Sequence, residues 1–327
     1  MIVLKQPKKM SSFYYFRRYQ ALPDVLIGSI GDVQSHRDDS LVFIEAEKDM
    51  HHVSDNIACL ITTHELASQV RHGNVVVVDH VKWAMQQVLT QIAAEIAEDN
   101  CNAPIATVAQ GALVDSTAHI ERGSRIEKGV TIGRNVCIGH HCVIEQGVRI
   151  ADNVVIGDNV HIGADSVIKP NAVIGSRGFG FVWYQDQWHQ IPHLAGVKMG
   201  QKCHIGASTC VDAGVLRPTF LGQNVCVDNQ CQIAHNVFVG NHTAIAGCVG
   251  IAGSTQIGNH CQIGGGVRIS GHLLIDDRVI IQGGSTVTQS IRKLGVYSNV
   301  FPISEVAQWR VRLRQFIRLG RNQKKRS

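Results

Sequence analysis

The stretch Asp228-Asn229-Gln230-Cys231-Gln232-Ile233-Ala234-His235-Asn236 holds the densest set of groups able to do chemistry. An imidazole titrates near neutral pH, so His235 is equipped to take a proton from an amine or a hydroxyl. Asp228, Asn229, Gln232 and Asn236 around it suit the binding of a polar substrate. Gly253 follows eighteen residues after His235, and His272 follows thirty-six after Asn236. A glycine leaves its backbone N–H open, and a base with an open amide close by is the minimum for acyl transfer through a tetrahedral oxyanion. With seventeen histidines in the chain, a solvated surface position is the default for most of them. We assign that default to His242 and His260.

These residues need a scaffold with an eighteen-residue period, and the sequence supplies one. An aliphatic recurs at every sixth position from Val108 to Ile174, twelve times without a miss. The spacing resumes at Met199, Ile205 and Val211, shifts by four residues around 217–220, and then runs from Leu221 to Val287, giving fifteen more tiers. Neither a 3.6-residue helix nor a plain two-residue alternation repeats in this way. A short strand, a corner and one inward aliphatic fit six residues, and three such sides close a coil of eighteen. Nine coils spaced by ~4.8 Å make a prism ~40 Å long. Gly253 then stacks directly on His235, and Asn236, Ser254 and His272 line the same edge. Small or β-branched residues stand four after the aliphatic, at Val136, Cys142, Val160, Cys203, Thr209, Cys231, Thr243 and Cys261. Several of the ten cysteines are thus expected to be reduced packing residues.

The repeat is interrupted between Ile174 and Met199, where five of the eighteen aromatics fall within ten residues, from Phe179 to Trp188. That concentration predicts a loop that touches substrate, with docking on a neighbouring subunit as the other use. Residues 1–100 lack the six-residue period. They carry short apolar runs at 41–44, 57–61 and 75–78 and a helical stripe over 81–97, which predicts a small α/β domain. Residues 303–320 read as a helix with Arg310, Arg314 and Arg318 four apart. Net charge is +5, but ten basic residues against Glu305 put +9 on residues 292–327 and leave the rest at −4. Such a tail fits an acidic protein partner; the body offers no basic groove for nucleic acid, so none is expected. The apolar face with Val306, Leu313 and Ile317 suits transient contact with a membrane surface. No apolar run reaches the ~18 to 20 residues of a membrane span, residues 1–16 have no secretory apolar core, and we place the chain in the cytoplasm.

The period resembles the left-handed parallel β-helix of the hexapeptide-repeat acyltransferases over residues 103–290, a mainly β fold. The handedness is implied by the resemblance, since parallel crossovers are in general right-handed. The family also implies a homotrimer with active sites in the clefts between prisms. The boundaries expected are 1–100 for the α/β domain, 103–291 for the β-helix and 292–327 for the basic extension. Zinc hydratases of the same fold use a close histidine pair five apart, whereas intervals here are seven and eighteen, so no metal or other cofactor is expected.

Gly178-Phe179-Gly180-Phe181, Ile191-Pro192, Asp212-Ala213-Gly214, the 228–236 motif, Ala252-Gly253 and Gly271-His272 look like the UDP-3-O-(3-hydroxyacyl)glucosamine N-acyltransferases of lipid A biosynthesis. The resemblance implies His235 as general base, Gly253 as oxyanion amide and His272 on the acyl-donor site, with Phe179, Asp228, Asn229, Gln232 and Asn236 as further substrate contacts. It implies acyl carrier protein, an acidic partner, as donor and a UDP-amino sugar as acceptor; the four-residue spacing of Arg310, Arg314 and Arg318 on the basic tail suits the carrier. The chain departs from the family at Arg177, Ala213 and His193, where the family has an acid, an Arg and a Gln. It also has Ala46-Glu47-Lys48-Asp49 in place of an Asn-Pro-x-Tyr segment that helps hold uridine. Two alternatives follow: a related sugar O- or N-acyltransferase using coenzyme A or another nucleotide sugar, and a non-catalytic duplicate of the family.

Overall fold

The computed structural model describes residues 1–19, 22–33, 35–50, 52, 56–70, 73–300 and 303–323. Two compact units divide the chain, Met1–Tyr297 and Ser298–Ser327. The first begins with a five-stranded sheet in the order β1 (Ile2–Lys9), β2 (Leu26–Gly31), β3 (Ser40–Phe43), β4 (Cys59–Thr62) and β5 (Val75–Val77). β1 runs antiparallel to β2 and the rest are parallel. Neither β1 nor β2 was expected from the apolar runs. β1 carries three lysines and Pro7, and its pairing slips between Val3 and Lys8, features that an edge strand tolerates and a central strand does not.

Two short helices, α1 (Glu47–Met50) and α2 (His64–Ala67), lie in the crossovers. α1 occupies the Ala46-Glu47-Lys48-Asp49 stretch; the side chain of Lys48 is outside the described residues. The long helix α3 (Val81–Cys101) covers the sheet, burying Val81, Ala84, Val88, Leu89 and Ile92 against Phe13, Phe16, Ile27, Ile30 and Leu41.

From Thr107 the chain winds into three parallel sheets of ten, nine and nine strands. Each strand pairs with the one a coil away, as Gln232–Ile233 does with Gly250–Ile251, and that strand with Arg268–Ile269. From Ile126 on, both the sixth-position aliphatics and the small residues four after them point inward, and the eight small residues named above are all buried. Corners are made by the third residue after each aliphatic, which adopts the left-handed conformation: Asn135, Asn153, Asn236, His242, His260 and His272 all have φ between 55° and 60°. Short polar side chains and glycine accept that conformation at least cost. The requirement places several of the histidines at corners for backbone reasons alone.

At one corner the winding is interrupted twice in succession. Strand Val173–Arg177 runs on into a hairpin, Phe181–Tyr184 with Gln187–Gln190, before the coil resumes at Val197–Met199. One coil later, residues 214–218 bulge out between strands Cys210–Ala213 and Thr219–Leu221. Both excursions bind the solenoid to the α/β domain: Val182, Ile191 and Leu216 enter its core, and Arg217 meets Asp32 at 3.3 Å. The next turn at this corner carries His235.

The second unit holds one described helix, α4 (Val306–Gln323), three residues later at each end than the expected 303–320. Arg310, Arg314 and Arg318 recur every four residues along it. The side chain of Ile317 lies outside the described residues. No helix among the described residues is long and apolar enough to cross a membrane.

Candidate active site

His235 follows the inward Ile233 by two positions, where side chains point out of the corner. Its ring lies across Gly253: a Cβ built there would stand 2.8 Å from Nε2 and 2.9 Å from Cε1, so only glycine leaves the ring its place. Asn236 fixes which nitrogen carries the proton. Its Nδ2 donates to the Arg217 carbonyl at 2.8 Å, and its Oδ1 accepts the Val215 N–H at 3.2 Å, giving the amide one orientation. The same Oδ1 lies 3.1 Å from His235 Nδ1, which must therefore be the N–H. Nε2 is left with its lone pair, facing Gly253.

A second rule of the coil concerns the amide two after each aliphatic. That N–H points outward, and at six tiers a side chain one coil further on accepts it. Arg134 N–H donates to Asp152 at 2.8 Å, His140 to Asp158 at 2.7 Å, Gln223 to Asn241 at 2.9 Å, Asn241 to Asn259 at 2.8 Å and Asn259 to Asp277 at 2.7 Å. For Gly253 the position one coil on is Gly271, which has no side chain. Among the described residues the Gly253 N–H donates no hydrogen bond. A donor and a lone-pair nitrogen thus stand side by side at the corner.

The two excursions wall this corner. Gly178 comes so near that a Cβ would lie 2.9 Å from the His235 Cβ and 3.1 Å from His193 Nε2; at Gly180 it would lie 2.7 Å from His193 Cε1. The rings of His193 and His235 meet edge to face, with centroids 5.1 Å apart at 77°. His193 is buried, and that burial, helped by His235 and Arg177, lowers its pKa to about 4. Asp212 is buried as well, accepting from Ser176 Oγ and Gln232 Nε2 at 2.9 Å each. Burial pushes its carboxyl up, against those two bonds and the charge of His235.

The expected site residues do not all share this corner. Gln232 is taken up by Asp212. Asp228 and Asn229 follow strand Cys226–Val227 and stand at a neighbouring corner of the prism, where Asn229 Oδ1 accepts the Ala207 N–H at 2.7 Å. Phe179 is 86% exposed and leans on Phe181 with centroids 5.0 Å apart. His272 stacks two coils from Asn236 and donates its N–H to the Gly253 carbonyl at 3.0 Å. Arg310, Arg314 and Arg318 belong to the second unit.

The aromatic loop departs from the expectation of substrate contact in part. Tyr184 stacks on Trp83 of α3 at 4.3 Å and His189 meets the same ring at 4.7 Å, while Trp183 and Trp188 pair on the exposed side. His242 and His260 stack at 5.0 Å on the Asn-ladder corner, and no group of metal-ligating side chains occurs among the described residues. His193 and Asp212 had no role assigned from sequence; their signals were the departure from the family's Gln at His193 and the place of Asp212 in the Asp212-Ala213-Gly214 motif.

The family model for the bacterial transferase hexapeptide (six repeats) matches residues 141–176. The chain is 46% identical over 146 residues to the UDP-3-O-acylglucosamine N-acyltransferase of Pseudoalteromonas translucida, covering 45% of this chain and 43% of the relative. It is 53% identical over 138 residues to that of Leptothrix cholodnii, covering 42% and 40%. In both, the match spans less than half of the relative's length. Among solved structures, a UDP-N-acetylglucosamine acyltransferase is 24% identical with a TM-score of 0.46, over 56% of this chain and 67% of that one. The enzyme of the same name from Campylobacter jejuni is 23% identical with a TM-score of 0.37, over 67% and 81%. The chain folds as a left-handed parallel β-helix, carries the transferase hexapeptide repeat over residues 141–176, and resembles the UDP-3-O-acylglucosamine N-acyltransferases over less than half of their length.

Proposed function

We propose that the chain is an N-acyltransferase of lipid A biosynthesis, moving a 3-hydroxyacyl group from acyl carrier protein to the amine of a UDP-3-O-acylglucosamine. The observation that carries this reading is His235 Nε2, a base with a fixed tautomer, lying over the unclaimed Gly253 N–H. In the reaction the amine nitrogen attacks the thioester carbonyl while Nε2 takes its proton. The carbonyl oxygen becomes an oxyanion, and the Gly253 amide donates to it. The intermediate collapses with loss of the carrier's thiolate, which recovers the proton from the His235 imidazolium. The products are an amide and a free carrier thiol, with no other reactant required.

In this reading residues 1–100 hold the nucleotide sugar, residues 103–291 carry the chemistry, and 292–327 receive the carrier protein through Arg310, Arg314 and Arg318. His272 lines the path of the acyl donor. A homotrimer fits the separation of Asp228 and Asn229 from His235 on neighbouring corners of one prism, because a second copy's corner would bring such residues to the same cleft. In such a trimer the exposed Phe179, beside Gly178, would lie at the mouth of that cleft. The location of such an enzyme is the cytoplasm.

The test is incubation of the purified chain with UDP-3-O-acylglucosamine and either 3-hydroxyacyl carrier protein or 3-hydroxyacyl coenzyme A, with products read by mass spectrometry. An amide product formed with the carrier protein supports the reading. Ester product, or product only with coenzyme A, points to the related sugar acyltransferase. The Ala46-Glu47-Lys48-Asp49 segment favours one further outcome, a different nucleotide sugar, and a thermal-shift titration with UDP-N-acetylglucosamine separates loss of uridine binding from loss of catalysis.

A further inference from the structure

His193 is 7% exposed, yet its Nε2 meets no hydrogen-bond partner among the described residues. The other ring nitrogen, Nδ1, lies 2.9 Å from the Ile191 carbonyl. A carbonyl only accepts, so Nδ1 carries the proton and Nε2 is a bare lone pair. A buried acceptor without a donor costs free energy, and the surroundings do not relieve it: Gly178 and Gly180 close over the ring, and the remaining neighbour is His235, edge to face. Both glycines stand where any side chain would strike His193 or His235. The seat is therefore shaped for these two rings together.

We propose that His193 is a positioning residue for His235, setting the orientation of its ring and stabilising, through the buried Nε2 lone pair, the imidazolium that His235 becomes when it takes a proton. The inference rests on the reading of His235 as the base. The charged groups facing the pair are Arg177, at the end of strand Val173–Arg177, and Asp212 on strand Cys210–Ala213. Arg177 opposes a positive charge on His193, as does burial, which together with His235 keeps that ring neutral through the working range. Asp212 attracts the charge on His235. A neutral acceptor beside the base thus complements the Asp212 carboxylate, and Arg177 is the one opposing charge named for the pair.

The test uses the full chain with His193→Gln, which keeps an acceptor, and His193→Leu, which removes it. Carbethoxylation of His235 by diethyl pyrocarbonate, followed by peptide mass spectrometry from pH 5 to pH 8, reads the protonation of that ring without any acyl transfer. The midpoint should fall by ~0.5 to 1 pH unit in His193→Leu and stay near wild type in His193→Gln. In the acyl-transfer assay kcat should fall ~10-fold in His193→Leu with KM for the sugar nucleotide unchanged, and the glutamine should restore it. Identical midpoints in all three proteins, or equal loss with Gln and Leu in chains of equal melting temperature, would overturn the proposal. If no acyl transfer occurs in the wild type, the proposed function fails while the carbethoxylation midpoints still decide the role of His193.

Discussion

Supplying an acceptor to the Gly253 amide should silence the site without unfolding the chain. Six outward amides in the solenoid are held at 2.7 to 2.9 Å by an Asn or Asp side chain one coil further on, and Gly271 occupies that place above Gly253. In a Gly271→Asn variant the new side chain is positioned to accept the Gly253 N–H as Asn259 accepts that of Asn241. Gly271 does not have a left-handed φ, so the backbone admits a side chain. A Cβ there would sit 3.0 Å from the Gly253 carbonyl oxygen, a tight contact that a few tenths of an ångström relieve. One new hydrogen bond contributes about 0.5 to 1.5 kcal/mol and offsets that strain, leaving stability within about 1 kcal/mol of wild type. Loss of an oxyanion donor costs about 2.7 to 4 kcal/mol of transition-state stabilisation, or ~10² to 10³ in kcat. The measurements are the initial rate at saturating substrates and the melting temperature of the same preparation. Gly271→Ala, which adds the Cβ without the acceptor, should keep most of the rate. An asparagine variant that melts normally and turns over at the wild-type rate would refute the assignment of the Gly253 amide to the oxyanion.

Acid should destabilise the fold through His193: its pKa is lowered to about 4 by burial, so the unfolded chain takes the proton first. The stabilisation is full above pH 6.5 and is lost as pH falls from there through 4. Chemical denaturation at pH 7 and pH 5 should show about 2 kcal/mol more loss in wild type than in His193→Gln, and equal loss would contradict the burial argument. Asn236→Ala strands the Val215 N–H and the Arg217 carbonyl and frees the His235 tautomer, so it should lower stability by about 1 to 3 kcal/mol and kcat by ~10-fold or more. Reversal of Arg314 and Arg318 to Glu should raise KM for acyl carrier protein and make the residual binding less sensitive to salt. Affinity for the sugar nucleotide should be unchanged, and equal loss of both would mean that the helix serves assembly instead.

The solenoid was legible because its constraint is periodic: a coil that must bury one aliphatic every six residues writes Ile126, Ile132 and Ile138 into the chain regardless of what lies around them. Stacking of Gly253 on His235 followed from the same arithmetic. What was not legible arises where that arithmetic stops. Strands β1 and β2 are specified by pairing and by the cover of α3, and β1 carries lysines and a proline that hide it from an apolar count. Arrangement of the wall around His235 depends on where two excursions return, so the contact of His193 with His235 and the burial of Asp212 are set by tertiary packing and not by the repeat. Asp228 and Asn229 read as neighbours of His235 along the chain, yet six residues along a coil move to the next corner. Proximity in sequence does not put residues on one corner of a single prism, while eighteen residues of separation does.

The most direct test of the acyl-transfer assignment is the turnover of His235→Ala on 3-hydroxyacyl carrier protein and UDP-3-O-acylglucosamine, beside a wild-type chain of matching melting temperature. Nε2 is the one lone-pair nitrogen over the open Gly253 amide in the described site, so its removal should lower kcat by ~10² to 10⁴ with little change in KM for the sugar. Turnover near the wild-type rate would contradict the role of His235 and, with it, the assignment of this corner as the active site.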